Sequence, residues 1–191
     1  MELRLHHKGQ LHELNSDAVN ELLQAAYYAS SNEAVRGVMI SSASKLTTEA
    51  KNFVSRGKSG AHWRIAEAGK RAHIRTLLRR EYALMHSIFE LRRKMPVVAL
   101  ADGRISGTGA GLFMAASHRI ATPRTSLAFE ECSRGMAPGC GATDILQTSS
   151  PGLGRWAALT GAHLSAGQMT AAGLCTHMCK GDAAAIDSLR Y

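Results

Sequence analysis

The sequence predicts an α/β protein built around a parallel sheet. Short apolar runs that suit buried strands alternate along all 191 residues with segments whose apolar residues recur at helical spacing. Hydrophobic residues make up 45% of the chain, which is enough for a sizeable core. The sequence contains no internal repeat and no Pro-, Gly- or Ser-rich linker. We therefore expect one domain that spans residues 1–191.

The first third of the chain predicts a helix, a strand and a long loop. Asn15-Ser16-Asp17 offers N-cap chemistry for a helix over 18–30. The apolar run at 38–40 suits a buried strand. Residues 42–67 are polar and irregular, so we expect a long loop there. Loops of that length in a compact domain are usually functional, or disordered without a partner.

Residues 68–94 predict a long helix, which ends because Pro96 follows it. Its apolar residues recur at three- and four-residue steps, at Ile74, Leu78, Tyr82, Met85 and Phe89. Further on, we expect strands at 97–101, 119–121, 127–129 and near Cys175, and helices at 107–118, 141–148, 153–160 and 165–172.

The helix expected within 68–95 also carries most of the positive charge of the chain. Its eight cations are Lys70, Arg71, Arg75, Arg79, Arg80, Arg92, Arg93 and Lys94. Against them stand Glu81 and Glu90, so this segment accounts for +6 of a formal net charge of +8. The residues at 71, 75 and 79 step by four and are expected to form one stripe, opposite much of the apolar face.

Two interpretations of this basic helix are open. A charged stripe is usually a solvated helix face. The excess of Arg over Lys favours a phosphate ligand instead, because the guanidinium fork binds phosphate in a bidentate manner. An RNA backbone and the phosphates of coenzyme A both fit, although eight cations exceed what one coenzyme A requires. We predict contact with a polyanion.

Several classes of protein are excluded or disfavoured by the sequence. No apolar run of about 18 residues predicts a membrane span, and the first residues do not read as a signal peptide. Cys132, Cys140, Cys175 and Cys179 are expected to be free thiols. The Cys175-Thr-His-Met-Cys179 segment lacks a second pair at zinc spacing, so we expect no metal. Gly107-Thr-Gly-Ala-Gly111 imitates a dinucleotide fingerprint, but its spacing differs.

A series of short motifs occurs in order along the second half of the chain. They are Met95-Pro96, Gly103-Arg-Ile-Ser-Gly107-Thr108-Gly109, Ala121-Thr122, Phe129-Glu130-Glu131, Gly135-Met-Ala-Pro138, Leu159-Thr160-Gly161 and Ala172-Gly173-Leu174. Their order and spacing resemble the crotonase superfamily of enoyl-CoA hydratases and isomerases, and most of all its 3-hydroxyisobutyryl-CoA hydrolase branch. The resemblance covers nearly half of the chain well. It implies a crotonase-like spiral core of ββα units that is truncated at the C-terminus. We expect the family's C-terminal helical lid to be absent and its trimer not to form.

The resemblance implies two backbone N–H groups that stabilise an oxyanion on an acyl-CoA thioester. The matching residues are Gly57 and Thr108. The family has glycine at the second of these positions, and glycine lets the ligand approach the backbone. Thr108 and the bulky Arg56 are therefore expected to narrow the pocket.

The acid–base residues of the family are only partly retained. Glu131 matches the glutamate of the hydrolase branch, whereas Glu130 replaces the proline before it. Gly139 stands where that branch has an aspartate, and Gly111 stands where hydratases have a glutamate. A simpler interpretation of the two adjacent carboxylates is a strand end with one solvated group. We therefore expect a fold retained without the activity, in which Glu131 and the amides of Gly57 and Thr108 are vestigial.

The resemblance also suggests a function, because the hydrolase branch includes components of the mitochondrial small ribosomal subunit. We predict a non-catalytic structural subunit in the mitochondrial matrix that contacts ribosomal RNA and neighbouring ribosomal proteins, with no cofactor. The alternative is an acyl-CoA thioester hydrolase that uses Glu131, and coenzyme A is a ligand only under that alternative.

Overall fold

The computed structural model describes residues 1–5, 14–42, 52–54, 68–150 and 152–180. In this part of the chain, strands β1 to β9 run over Glu2–Leu5, Val38–Ser42, Asn52–Val54, Val97–Ala101, Arg104–Ser106, His118–Ala121, Ser126–Ala128, Leu164–Ser165 and His177–Met178. Helices α1 to α6 run over Ser16–Ser31, Arg71–Lys94, Thr108–Ala115, Ala142–Thr148, Leu153–Thr160 and Ala166–Ala171. A 3₁₀ turn spans Cys132–Arg134.

The described strands form two sheets. The larger one has five parallel strands in the order β1-β2-β4-β6-β9. In the smaller sheet β3, β5 and β7 run parallel and β8 is antiparallel to β7. Each unit places one strand in the larger sheet, the next strand in the smaller sheet and then a helix, as in β2-β3-α2 and β4-β5-α3. This repeat confirms the predicted α/β class and the crotonase-like ββα core.

Helix α3 lies at the centre of the core, and all eight of its residues are buried. Its sequence is apolar on every side, which is the pattern of a helix covered all round. Phe113 and Leu112 are fully buried there, together with Leu84 and Ile88 of α2. Helix α1 begins where its N-cap predicts, since the Asn15 side chain accepts a hydrogen bond of 2.8 Å from the backbone N–H of Ala18.

The face of α2 that enters the core differs from the predicted one. The buried residues are Glu81, Leu84, Met85, Ile88 and Leu91. Of the predicted apolar stripe, Met85 is buried, whereas Leu78 and Tyr82 are 38% and 49% exposed. The prediction was wrong because α2 carries two apolar stripes, and helical periodicity does not say which of them faces the core.

Four of the described strands were not predicted, namely β1, β3, β5 and β8. Strand β3 interrupts the segment 42–67, for which a long loop was predicted. Strand β5 has only three residues and one large apolar side chain, Ile105, so it lacks a strand pattern in the sequence. The helix predicted to reach His118 ends at Ala115, because His118 already pairs with Val98 across the larger sheet.

A polar network holds the corners where the chain passes from the larger to the smaller sheet. The Asp102 carboxylate follows β4 and accepts a hydrogen bond of 2.7 Å from the Thr122 hydroxyl, which follows β6. It also binds the Arg124 guanidinium through two hydrogen bonds of 2.9 and 2.8 Å. The Thr125 hydroxyl donates to the Ala101 carbonyl over 2.8 Å. These bonds fix two successive ββα units to each other.

We expect Asp102→Ala to lower the free energy of unfolding by about 2–3 kcal/mol, because it removes charge-assisted hydrogen bonds to two partners. Arg124→Ala should cost less than about 1 kcal/mol, since half of that side chain is exposed and solvent screens the pair. Urea denaturation of both variants measures the difference. Equal losses would contradict the central place of Asp102 in the corner.

Candidate oxyanion-type site

The start of α3 forms one wall of the candidate site. Gly107 takes a positive φ of 57° just before the helix, which glycine adopts without strain. The first N–H groups of a helix lack partners within the helix, so the amide of Thr108 is a donor of the kind that stabilises an oxyanion. The Thr108 side chain is buried, and its hydroxyl donates a hydrogen bond of 3.3 Å to Glu81.

Glu81 comes from the core-facing side of α2 and is only 2% exposed. Burial raises the pKa of its carboxyl to about 7, and the hydrogen bond from Thr108 opposes this shift. The sequence prediction counted Glu81 merely as a counter-charge on the basic helix. Its spacing to Leu84, Met85 and Ile88, which are three, four and seven residues on, was the signal that could have placed it on the buried face.

Cys140 closes the opposite side of this cluster. Its thiol lies 4.0 Å from Glu81 Oε2, and its backbone has a positive φ of 53°, unusual for a residue other than glycine. Burial raises the pKa of this thiol to about 12, and the carboxylates of Glu81 and Glu131 add to the shift. Cys140 is therefore a neutral, inert thiol at neutral pH.

Gly111 packs directly against the turn that carries Cys140. A Cβ atom at position 111 would lie 2.4 Å from Cys140 Cβ and 2.8 Å from its carbonyl oxygen. No side chain fits there without moving the backbone of the turn. A glutamate at this position, as the resemblance gives for hydratases, is excluded by packing.

Glu130 and Glu131 point to different surroundings. Glu130 pairs with Arg104 of β5 and lies 3.8 Å from His163. Burial, and then the charge of Arg104, lowers the pKa of His163. Glu131 is half-buried and acts electrostatically on Cys140. The two carboxylates therefore have different partners. Glu130 is held in an ion pair, and Glu131 is partly buried, so neither side chain is fully exposed to solvent.

Position 139 has room for a side chain. A Cβ atom on Gly139 would lie 3.8 Å from the Tyr82 hydroxyl, which is an ordinary van der Waals contact. A cavity of about 200 Å³ lies nearby between α2 and α4, and its lining includes Tyr82, Met85, Phe89, Cys140 and Ile145. Lack of space therefore does not explain the glycine at position 139.

The other predicted oxyanion amide is that of Gly57. Gly57 and Arg56 lie outside the described residues. Thr108 and Glu131 are both brought to the cluster around Cys140. Sequence analysis missed Glu81 and Cys140 as members of this cluster.

The eight predicted polyanion contacts differ in their surroundings. Arg71, Arg75, Arg79 and Arg80 are exposed and make no ion pair with any described residue. Arg92 is half-buried, since its guanidinium stacks 3.8 Å from the centre of the Phe89 ring and donates to the Ala115 carbonyl over 3.3 Å. Arg93 pairs with Glu90 over 3.1 Å. Lys70 and Lys94 are exposed at the two ends of the helix.

Two further expectations concern metals and membranes. Among residues 1–5, 14–42, 52–54, 68–150 and 152–180, no three His, Cys, Asp or Glu side chains are grouped to hold a metal ion. The helices within these ranges are too short or too polar to cross a bilayer. All four cysteines are free thiols, as expected.

The two sheets and the repeated ββα units around α3 define the class of fold to which the chain belongs. The enoyl-CoA hydratase/isomerase family model matches residues 1–189, so the chain belongs to this family. This finding confirms the resemblance seen in the motifs.

Solved structures of the family share the fold. A carnitinyl-CoA dehydratase from Mycobacterium thermoresistibile superposes with a TM-score of 0.89 at 26% identity, covering 99% of this chain and 53% of that one. An enoyl-CoA hydratase from Rhodobacter sphaeroides gives a TM-score of 0.87, also at 26% identity, with the same coverage. The described core therefore corresponds to about half of each of these chains.

Curated relatives of two kinds match part of the chain. The small ribosomal subunit protein mS47 of Arabidopsis thaliana is 39% identical over 84 residues, which are 44% of this chain and 20% of that protein. The mitochondrial 3-hydroxyisobutyryl-CoA hydrolase of Gallus gallus is 36% identical over 115 residues, or 59% of this chain and 29% of that one. The chain thus matches less than a third of the length of each of these relatives.

We expect the stability contribution of Glu81 to depend on pH. Its folded pKa of about 7 exceeds the ordinary value of 4.5, so the folded state favours the protonated form. The free energy of unfolding should fall as pH rises from 4.5 to 7, by about 3 kcal/mol in all. Glu81→Gln should remove this fall, as urea denaturation between pH 5 and 8 would measure. Glu90→Gln, a more exposed carboxyl on the same helix, is the control. If the free energy of unfolding changed with pH equally in the wild type and in Glu81→Gln, the raised pKa of Glu81 would be contradicted.

Proposed function

We propose that this chain is a non-catalytic, structural component of the small ribosomal subunit in mitochondria. The observation that carries this proposal is the excess of exposed cations on α2, among which Arg80 and Lys94 make no ion pair with any described residue. Unpaired cations on one rigid helix suit a phosphate backbone, which supplies most of the affinity in nucleic-acid binding. The ribosomal relatives from Arabidopsis thaliana and Neurospora crassa support this role.

The state of the site supports a role without catalysis. Position 139 carries no carboxylate although a side chain fits there. The Thr108 side chain stands beside the helix-start amide and is bonded to Glu81. Glu131 therefore lacks the aspartate partner implied by the hydrolase resemblance. We propose no resident cofactor for such a protein.

The location and partners follow from the same relatives. Hydrolase relatives of Gallus gallus, Danio rerio and Rattus norvegicus carry a mitochondrial designation in their names. A mitochondrial location agrees with the location predicted from the resemblance. Ribosomal RNA and neighbouring ribosomal proteins are then the partners, with Arg80 and Lys94 as exposed candidates for the RNA contact.

Sedimentation of the tagged chain tests this role. In a mitochondrial extract, the chain should sediment with small ribosomal particles and shift to light fractions after ribonuclease treatment. Arg80→Glu with Lys94→Glu should reduce the bound fraction by about half or more at moderate salt, because each lost phosphate contact weakens binding. Arg36→Glu with Arg155→Glu makes the same change of charge at exposed positions of other segments and should have little effect. Sedimentation with no ribosomal particle would reject the proposal.

A second candidate function is hydrolysis of an acyl-CoA thioester. It is favoured by the buried Glu81, whose pKa of about 7 suits a general acid, near the retained Glu131. Coenzyme A would enter here only as part of the substrate. The hydrolase relatives, 35–37% identical over their matched segments, support this alternative.

Turnover of 3-hydroxyisobutyryl-CoA distinguishes the two functions. Under the structural role, we expect no measurable release of free coenzyme A by the purified chain. If hydrolysis does occur, Glu131→Gln should abolish it, whereas Glu130→Gln should retain it, because Glu130 is held by Arg104 away from the cluster. Hydrolysis that depends on Glu131, in a chain that does not associate with ribosomes, would establish the alternative.

A further inference from the structure

The N-terminal half of α2 presents an apolar stripe that the core does not use. Ile74, Leu78 and Tyr82 follow each other at four-residue steps and therefore lie on one side of the helix. Ile74 is partly buried, while Leu78 is 38% and Tyr82 49% exposed. Together with neighbouring arginines they line an open groove of about 680 Å³.

Three arginines accompany this stripe along its length. Arg71, Arg75 and Arg79 each precede one of the apolar residues by three positions, which places them on the same side of the helix and not opposite it. All three line the groove, and no described acidic side chain pairs with them. Like charges at four-residue spacing destabilise a helix slightly, so an external counter-charge would be favourable here.

In the C-terminal half of α2, the partly exposed apolar side chain is covered by arginines of the same helix. The Phe89 ring is covered by the guanidinium of Arg92 at 3.8 Å and approached by that of Arg93 at 5.6 Å. Arg92 also bonds to Ala115, which ties it to the core. Arg71, Arg75 and Arg79 show no such internal contact with the described residues. In the N-terminal half of α2, by contrast, both the apolar side chains and the guanidinium groups beside them can contact a partner.

We propose that this groove binds an acidic amphipathic helix of a partner protein. The side chains of Ile74 and Leu78 need apolar carbon to cover them, which a phosphodiester backbone does not provide. Carboxylates on either side of the partner's apolar face would pair with the guanidinium forks. The stripe from Ile74 to Tyr82 spans about 12 Å, or slightly more than two helical turns. Laying an apolar helix face against such a surface is a common mode of peptide recognition.

This partner class goes beyond the ribosomal role and rests on the surface of α2 alone. Under this proposal, two different faces of α2 bind two different partners. Arg71, Arg75 and Arg79 face the protein partner, whereas Arg80 lies 100° around the helix from Arg79 and away from the groove. A contact between Arg80 and RNA is therefore compatible with a helix bound in the groove.

Binding of a designed peptide to the full chain tests the proposal. The probe is a fluorescent helical peptide of about 14 residues, with leucines at four-residue steps and glutamates flanking them, measured by fluorescence anisotropy. Leu78→Asp and Arg75→Glu should each weaken binding by about tenfold or more, which corresponds to about 1.4 kcal/mol. Arg80→Glu changes the charge equally outside the groove and should weaken binding by less than about twofold. Circular dichroism checks that these exposed substitutions leave the fold intact.

An exchange of charges makes the test sharper. The double variant Arg75→Glu/Arg79→Glu should bind a peptide with lysines in place of the glutamates more tightly than the wild-type chain does. No binding of the acidic peptide, or equal losses for Arg75→Glu and Arg80→Glu, would overturn the proposal.

Competition experiments with two other ligands test whether the groove binds something other than a helix. If a single-stranded oligouridine or coenzyme A displaces the peptide and itself binds through Arg75 but not Arg80, the groove is a site for that ligand and the proposal is overturned. Because all measurements use the isolated chain, their result is independent of whether the chain sediments with ribosomes.

Discussion

The close contact between α3 and the turn at Cys140 is the constraint on which the candidate site depends. The turn approaches so near that only glycine fits at position 111. This approach brings the Cys140 thiol to Glu81, on which the Thr108 hydroxyl also converges. The cluster is thus assembled by backbone packing between segments about 30 residues apart. The same packing removes the space that a glutamate at position 111 of α3 would need.

The elements with long patterns were predictable from the sequence, and the short ones were not. Helix α2 and strand β4 stand out because their apolar residues are regular and Pro96 separates them. Strand β5 has a single large apolar side chain and exists because it is hydrogen-bonded between β3 and β7. Such pairing depends on residues far away in the chain, which local propensity does not contain. The same reason applies to β1, which forms only beside β2.

Only those residues of the candidate site that belong to sequence motifs were predictable. The motifs located Thr108 and Glu131, because both belong to runs with fixed neighbours. Glu81 lies in no such run. Because it is charged, it was predicted to face solvent, although its spacing to Leu84 and Ile88 puts it on the buried face of α2. The stripe of Ile74, Leu78 and Tyr82 shows the converse error. Its spacing predicts a buried face, and only the packing of α2 against α1 and α3 shows that another face is used.

The buried Glu81 carboxyl couples the folding of this chain to protons. In the unfolded chain an ordinary glutamate is ionised near pH 6, whereas in the folded chain this one is still mostly protonated, because burial raises its pKa to about 7. Folding near pH 6 therefore takes up nearly one proton from the solvent at this residue. The heat of folding measured by calorimetry then includes the ionisation heat of the buffer. A single carboxyl that retains its proton thus makes the enthalpy of folding depend on the choice of buffer.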